Sequence, residues 1–184
     1  DDITHLASTI CGTPISLISL VDRDRQWFKS RHGLELAGTG REVSFCAHAI
    51  NDPSEVMVVT DARADPRFAD NSLVTGRPHI VFYAGVPLVG SEGHALGSLC
   101  VIDDKPRTPA PHQLEALRAL ARQTGHLLDL RRKTTLLEEH ERILGQRNDE
   151  LRQFANVLAH DMKEPLRMVT SFMDRLHRKL EGTM

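Results

Sequence analysis

The residues of this sequence best suited to chemistry lie in the segment FANVLAHDMKEPLRMV, residues 154–169. His160 is followed directly by Asp161, and Pro165 comes five residues after the histidine. A neutral imidazole beside a carboxylate can act as a nucleophile, because the carboxylate holds or accepts the ring proton. The segment therefore offers His160 as a candidate nucleophile, with an ordinary exposed surface histidine as the alternative.

The apolar residues around His160 predict a helix with one apolar stripe. At about 100° of rotation per residue they fall within about 40° of Leu158, whereas His160 lies about 200° away and faces solvent. Pro165 belongs to the stripe, where packing can offset the roughly 3 kcal/mol that a proline costs inside a helix. We therefore expect a kink there. The stripe comprises Leu151, Phe154, Leu158, Met162, Pro165, Val169, Phe172 and Leu176.

Leucines recur every seven residues along the chain before His160, at positions 130, 137, 144, 151 and 158. A heptad repeat of this length predicts a parallel dimeric coiled coil. The second position of the seam is mainly polar, with Lys133, His140 and Arg147, so we expect a weak coil. For residues 112–130, a single helix packed on its own domain is the alternative.

The N-terminal part of the chain has the pattern of an α+β domain. Short runs rich in β-branched and aromatic residues, ended by turn formers, predict strands at 14–22, 25–33, 55–62, 84–90 and 94–103. Helices are predicted at 2–11 and 43–51, and the short connections favour a mainly antiparallel sheet. The chain then divides into a sensor-domain core at 1–108, a long helix at 109–150 and a further helical segment at 151–184.

Composition and charge narrow the function classes. The net charge is -2 and the pI about 6.6, which disfavours a nucleic-acid binder. No apolar run approaches the roughly 20 residues of a membrane span. Cys11, Cys46 and Cys100 form no metal-ligand pattern and suit a reducing, cytoplasmic compartment. The abrupt helical start and the end at KLEGTM indicate a piece of a longer protein.

Residues 150–180 resemble the phosphoacceptor helix of sensor histidine kinases, which carries a histidine, then an acid, then a proline. The resemblance implies that His160 is phosphorylated on a ring nitrogen and that Asp161 orients the imidazole and accepts its proton. Pro165 would let the helix bend. Glu164 stands where many members have Thr or Asn to position water for dephosphorylating the partner, so the resemblance does not extend to phosphatase activity.

The same resemblance implies an enzyme class, cofactors and partners. The full-length protein would be a protein histidine kinase that uses ATP and Mg²⁺ and transfers the phosphoryl group to an aspartate of a response regulator. The chain would form a homodimer. It lacks the ATP-binding catalytic domain and should be inactive alone.

Residues 1 to about 132 resemble a GAF domain, a small-molecule sensor module with a central antiparallel sheet. The resemblance rests on PISLISLVDRDRQWFKSRHGL, SFCAHAI, VTDARADPRFADN, FYAGVPL and LGSLCVIDDKPR. Its ligand is left open, with a domain that binds none as the alternative.

Three readings of the GAF-like domain stay open beside a sensor of unknown ligand. Some relatives attach a linear tetrapyrrole through a cysteine, here Cys46, although its helix places His48 about 200° away. Plain core positions for Cys46 and Cys100 are the simpler interpretation. Four aromatic residues either line a pocket or belong to the core: Trp27, Phe28, Phe82 and Tyr83. For the whole chain, a dimerisation module without phosphotransfer is the alternative.

Overall fold

The computed structural model describes residues 1–181, without the side chains of 174 and 176–181. These residues form two compact units, Asp1–Arg132 and a second that begins at Lys133. The elements follow in the order α1 (Asp2–Cys11), β1 (Ile15–Val21), β2 (Arg25–His32), β3 (Gly38–Gly40), α2 (Phe45–Ala49), β4 (Met57–Val59), α3 (Ser72–Thr75), β5 (Phe82–Val89), β6 (Ala95–Asp103) and α4 (Pro111–Glu181).

The strands of the first unit form one six-stranded sheet in the order β3-β2-β1-β6-β5-β4. All of its pairings are antiparallel, which confirms the predicted α+β fold with an antiparallel sheet. The five predicted strands are present. Strand β3 was not predicted, because a three-residue segment with two glycines carries no strand signature.

Both faces of the sheet are covered, which explains why its central strands are apolar almost throughout. On one face, α1 and the first turns of α4 pack against the cluster Ala7, Cys11, Ile18, Phe82, Ala84, Val86, Leu88, Leu99, Val101, Leu117 and Ala121. On the other face, α2, α3 and their loops pack against Leu17, Phe45, Cys46, Ala49, Val59, Ala62, Phe68, Val74, Ile80, Tyr83, Cys100 and Ile102. We call the second side the α2 face.

Helix α4 contains 71 residues. Leu117 and Ala121, in its first turns, are 1% and 2% exposed and belong to the sheet core. From residue 131 to residue 173 every side chain is exposed, including the heptad leucines Leu137 and Leu144 at 62% and 68%. In the described residues, no helix is long and apolar enough to cross a membrane.

Pro165 lies inside α4, and the helix continues on both sides of it. The predicted apolar stripe is exposed where its side chains are described, for example Phe154 at 62% and Phe172 at 68%. The side chain of Leu176 lies outside the described residues. The described side chains of the stripe are therefore left exposed to solvent by the described part of their own unit.

Two leucines of α4 provide a matched pair for testing where the core ends. We expect Leu117→Ala to lower the free energy of unfolding by about 2–5 kcal/mol, because it leaves a cavity between α4 and the sheet. Leu127 is 56% exposed, so Leu127→Ala should change stability by less than about 0.5 kcal/mol. Urea unfolding of both variants measures the difference, and equal effects would contradict this placement of α4.

Candidate functional site

The predicted nucleophile and its acid lie side by side on α4. His160 Nδ1 is 3.4 Å from Asp161 Oδ1, at the long end of the hydrogen-bond range, and the two side chains are 81% and 71% exposed. A carboxylate on Nδ1 favours the tautomer that leaves Nε2 free to attack. Glu164 and Pro165, one turn further on, are also exposed. Phosphotransfer at His160 stays a prediction.

Beneath α2, the first unit holds a buried polar network centred on Gln26. The amide oxygen of Gln26 accepts hydrogen bonds from Ser44 Oγ at 2.5 Å and from Ser19 Oγ at 3.1 Å. Its nitrogen donates to Thr39 Oγ1 at 2.8 Å. Ser44 is also the N-cap of α2, because its Oγ accepts from the amide of Ala47 at 2.9 Å. The network therefore fixes the start of α2 to β1, β2 and β3.

Two thiols meet on the α2 face, one from α2 and one from β6. Cys46 Sγ lies 3.8 Å from Cys100 Sγ. The hydroxyl of Tyr83 donates to Cys46 Sγ at 3.5 Å and lies 3.3 Å from Ser98 Oγ. All four residues are at most 3% exposed. We call Cys46, Cys100, Tyr83 and Ser98 the thiol cluster.

The thiol cluster shifts the ionisation of its members in opposite directions. A hydrogen bond from the Cys100 thiol lowers the pKa of Cys46, and Ser98, Tyr83 and Ser19 add to this against the opposing effect of burial. Donating that bond, together with burial, raises the pKa of Cys100. Burial also raises the pKa of Tyr83. These shifts favour Cys46 as the thiol that ionises, and the Tyr83 hydroxyl donates to its sulfur.

Sequence reasoning placed Cys46 and Cys100 in the core, where the structure has them, but did not pair them. Each was recognised from its own element, Cys46 from a helix face and Cys100 from strand alternation. The available signal was that both inward faces point to the same side of the sheet. Using it requires the strand order, which places β6 in the middle of the sheet and α2 above it.

The residues suggested for a tetrapyrrole or a pocket are brought together only in part. Cys46 points inward, whereas His48 is exposed and its ring contacts that of Phe68 edge to face, with the ring centroids 4.9 Å apart. Cys46 and His48 therefore face apart, as their spacing predicts. Trp27 and Phe28 line one open depression of about 800 Å³ beside β3, whereas Phe82 and Tyr83 lie on opposite faces of the sheet. Within the described residues, no three His, Cys, Asp or Glu side chains are grouped so that they could hold a metal ion.

Two cavities adjoin the α2 face. An open depression of about 580 Å³ is lined by Arg23, Asp24, Arg41, Glu42, Ala47, His48 and Asn51, with balanced arginine and carboxylate charges. An enclosed apolar cavity, lined in part by Phe28, Phe45 and Leu73, measures only about 20 Å³. Small-molecule sites usually enclose about 300–1,000 Å³, so this enclosed cavity is filled by side chains rather than shaped for a ligand.

The sheet, its two helical layers and the buried α2 face define the class of this molecule. The family model for the GAF domain matches residues 1–128. The chain belongs to the GAF domain family.

Among curated proteins, the chain is 45% identical over 140 residues to the cyclic di-GMP phosphodiesterase PA2567 of Pseudomonas aeruginosa. The match covers 76% of this chain but only 24% of that relative.

Solved structures show the same fold at low sequence identity. A domain of a two-component sensor histidine kinase protein from Sinorhizobium meliloti has a TM-score of 0.58 at 19% identity, covering 74% of this chain and 93% of that one. The PixJ GAF domain of Thermosynechococcus elongatus, in its blue-light absorbing form, has a TM-score of 0.59 at 13% identity, covering 76% and 89%. At these identities the likeness extends to the fold alone.

The prediction that the full-length protein is a protein histidine kinase is wrong. Identity of 45% over 140 residues links the chain to a cyclic di-GMP phosphodiesterase. The prediction depended on a short pattern around His160, whose side chains are exposed and share no enclosed site. A few residues on one helix face are far less specific than identity across a domain. The expected need for ATP and Mg²⁺ depends on that enzyme class, so we do not propose it.

The Gln26 network generates a prediction about α2. Ser44→Ala removes both the N-cap of α2 and one donor to the buried Gln26 amide. We expect it to lower the free energy of unfolding by about 1–3 kcal/mol. Ser91 is exposed and bonds Asp129 through its backbone amide, which Ser91→Ala keeps, so this variant is the matched control. Urea unfolding measures both, and a Ser44→Ala variant as stable as the control would show that the network does not hold α2.

Proposed function

We propose that the chain is the sensory region of a bacterial signalling protein, in which the GAF domain controls an output through α4. The observation that carries the proposal is the continuity of that helix. Its first turns contribute Leu117 and Ala121 to the core of the sheet, and the same helix continues to Glu181. A change in the packing of the GAF core therefore acts directly on the helix that leaves it.

The output helix of this sensory region works as a homodimer. The heptad leucines are exposed to water. Burying their apolar surface in a dimer would contribute roughly 25 cal/mol of stabilisation for each Å². A second copy covers them in register, because the same repeat recurs on each chain. Polar residues at the second seam position, such as His140 and Arg147, weaken the coil. A weak coil has alternative packings of similar free energy, and a signal can shift their populations.

The regulated output is an enzyme of second-messenger signalling, for which the phosphodiesterase activity named for the Pseudomonas relative is the leading candidate. The chain spans about a quarter of that relative's length, 24%. We assign the GAF domain no small-molecule ligand. The three free thiols favour a reducing, cytoplasmic location.

The dimer is tested by charge placed on or off the leucine repeat. We expect light scattering to give the mass of a dimer for the wild-type chain and of a monomer for Leu144→Glu, because a buried carboxylate pair opposes association. Gln146→Glu is the matched control. Gln146 lies two residues away on another face of α4. Its side chain accepts a hydrogen bond from Arg142, which a glutamate at this position can also accept. A wild-type monomer, or equal dissociation of both variants, would overturn the dimer.

A second proposed role concerns His160 alone. Its imidazole would accept a phosphoryl group from a donor outside the described residues. The observation that favours it is the adjacent Asp161 carboxylate at 3.4 Å, on an imidazole that is exposed and reachable. An aspartate of a response regulator would then be the receiving partner. This role does not require the chain to belong to a kinase.

The His160 role is tested with phosphoramidate, which phosphorylates histidine directly. We expect mass spectrometry at neutral pH to find His160 labelled several-fold faster than His112, an exposed histidine in the first turn of the same helix and outside the leucine repeat. Asp161→Asn should remove the difference, because the amide no longer holds the ring proton in the same way. Equal labelling of both histidines in the wild type would reduce His160 to an ordinary surface residue.

A further inference from the structure

The thiol cluster contains two cysteines in contact that the proposed function does not use. Cys46 and Cys100 are separated by 54 residues in sequence and come from different layers of the domain, yet their sulfurs are 3.8 Å apart. We propose that they are a redox-active pair, which forms a disulfide between α2 and β6 when the protein meets a peroxide.

The geometry needs little change to reach a disulfide. An S–S bond is about 2.05 Å long, so the two sulfurs must approach by less than 2 Å. Rotation about two Cα–Cβ bonds can supply much of this movement, because both side chains already point at each other on the α2 face. Cys11, the third cysteine, packs on the opposite face of the sheet. The fold therefore selects one of three possible pairs.

The surroundings of Cys46 favour its reaction. The thiolate is the reactive form of cysteine, and Cys46 is surrounded by donors rather than by apolar groups alone. Tyr83 donates to its sulfur at 3.5 Å, and Ser98 bonds the Tyr83 hydroxyl in turn. These donors stabilise negative charge on Cys46. Cys46 is thus the attacking sulfur and Cys100 the resolving one.

The reaction proceeds in two balanced steps. The Cys46 thiolate attacks one oxygen of hydrogen peroxide, the O–O bond breaks, and the products are a sulfenic acid and hydroxide, which takes a proton to become water. The sulfur of Cys100 then attacks Cys46 Sγ, displaces the hydroxyl group as water after proton transfer, and forms the S–S bond. The two sulfurs lose two electrons in total, and the peroxide is reduced to two molecules of water.

The position of α2 explains how a small oxidant reaches a buried thiol. The helix is only five residues long, and Ala47 and His48, which follow Cys46, line the open depression of about 580 Å³. Displacement of this short helix opens a path from the depression to Cys46. Hydrogen peroxide needs little more room than water, whereas a larger alkylating reagent is excluded while α2 stays in place.

Disulfide formation changes what holds α2. In the reduced state, Ser44 and the Gln26 network fix the start of the helix, and the Cys46 sulfur accepts from Tyr83. In the oxidised state, a covalent bond ties α2 to the middle of the sheet and the Tyr83 hydroxyl loses a thiolate partner. The idea that the disulfide acts as a signal rests on the sensory role proposed above. Disulfide formation itself can be measured whether or not that role is correct.

The test is thiol counting and peptide mapping on the chain treated with hydrogen peroxide. After oxidation the protein is denatured, free thiols are alkylated, and peptides are mapped by mass spectrometry without reductant. We expect three free thiols before treatment and one afterwards, with Cys46 linked to Cys100 and Cys11 alkylated. Dithiothreitol should restore all three. A folded protein that keeps three free thiols, or links Cys11 instead, overturns the proposal.

Two controls separate the folded geometry from chance pairing. In urea the fold no longer selects a pair, so the 46–100 link should lose its predominance and links to Cys11 should appear. Unchanged predominance in urea would contradict a role for the fold. Tyr83→Phe removes one donor from Cys46, so disulfide formation at pH 7 should slow roughly threefold and its pH profile should move to higher pH. An unchanged pH profile would remove Tyr83 and its charge stabilisation from the mechanism.

Discussion

Burial of both faces of the antiparallel sheet is the constraint on which the rest of the structure depends. A sheet covered on one side only can have polar residues at alternate positions, but β5 and β6 lie between two helical layers and carry few. Most polar groups that do enter bond other buried polar groups, as Ser19 bonds Gln26 and Ser98 bonds Tyr83. Among the described residues, the buried hydroxyl of Ser16 is the exception, because it has no partner. Both the network beneath α2 and the thiol cluster follow from the burial of both faces.

Much of the sensory domain was readable from its sequence. Strong local patterns mark the strands predicted at 84–90 and 94–103 and the helix predicted at 2–11. In the structure, all three begin and end close to the predicted residues. Strand β3 and helix α2 are short and held by tertiary hydrogen bonds, so local pattern gave only an approximate α2 and no β3. The Cys46–Cys100 contact depends on strand order, which no local pattern encodes. Local sequence patterns therefore predict the sheet and its helical layers but not the thiol cluster on the α2 face.

The enzyme class illustrates a different limit. The pattern around His160 describes what a few side chains can do, whereas the class of a whole protein depends on domains well beyond them. GAF domains are joined to outputs of several kinds, as the phosphodiesterase and the sensor kinase protein among the similar proteins illustrate. A helix that connects such a domain to an output has an exposed apolar repeat whichever kind of output follows. Those features predict the helix correctly and say little about the chemistry it serves.

Pro165 has a consequence for the backbone of α4 beside His160. Proline has no amide hydrogen, so the carbonyl oxygen of Asp161, four residues earlier, receives no helical hydrogen bond from that position. The side chains around Asp161 are exposed, so water can bind this oxygen instead. A hydrated carbonyl one residue after His160 gives this turn a lower cost of local opening than its neighbours have. The turn that contains the histidine therefore has one helical hydrogen bond fewer than a turn without proline.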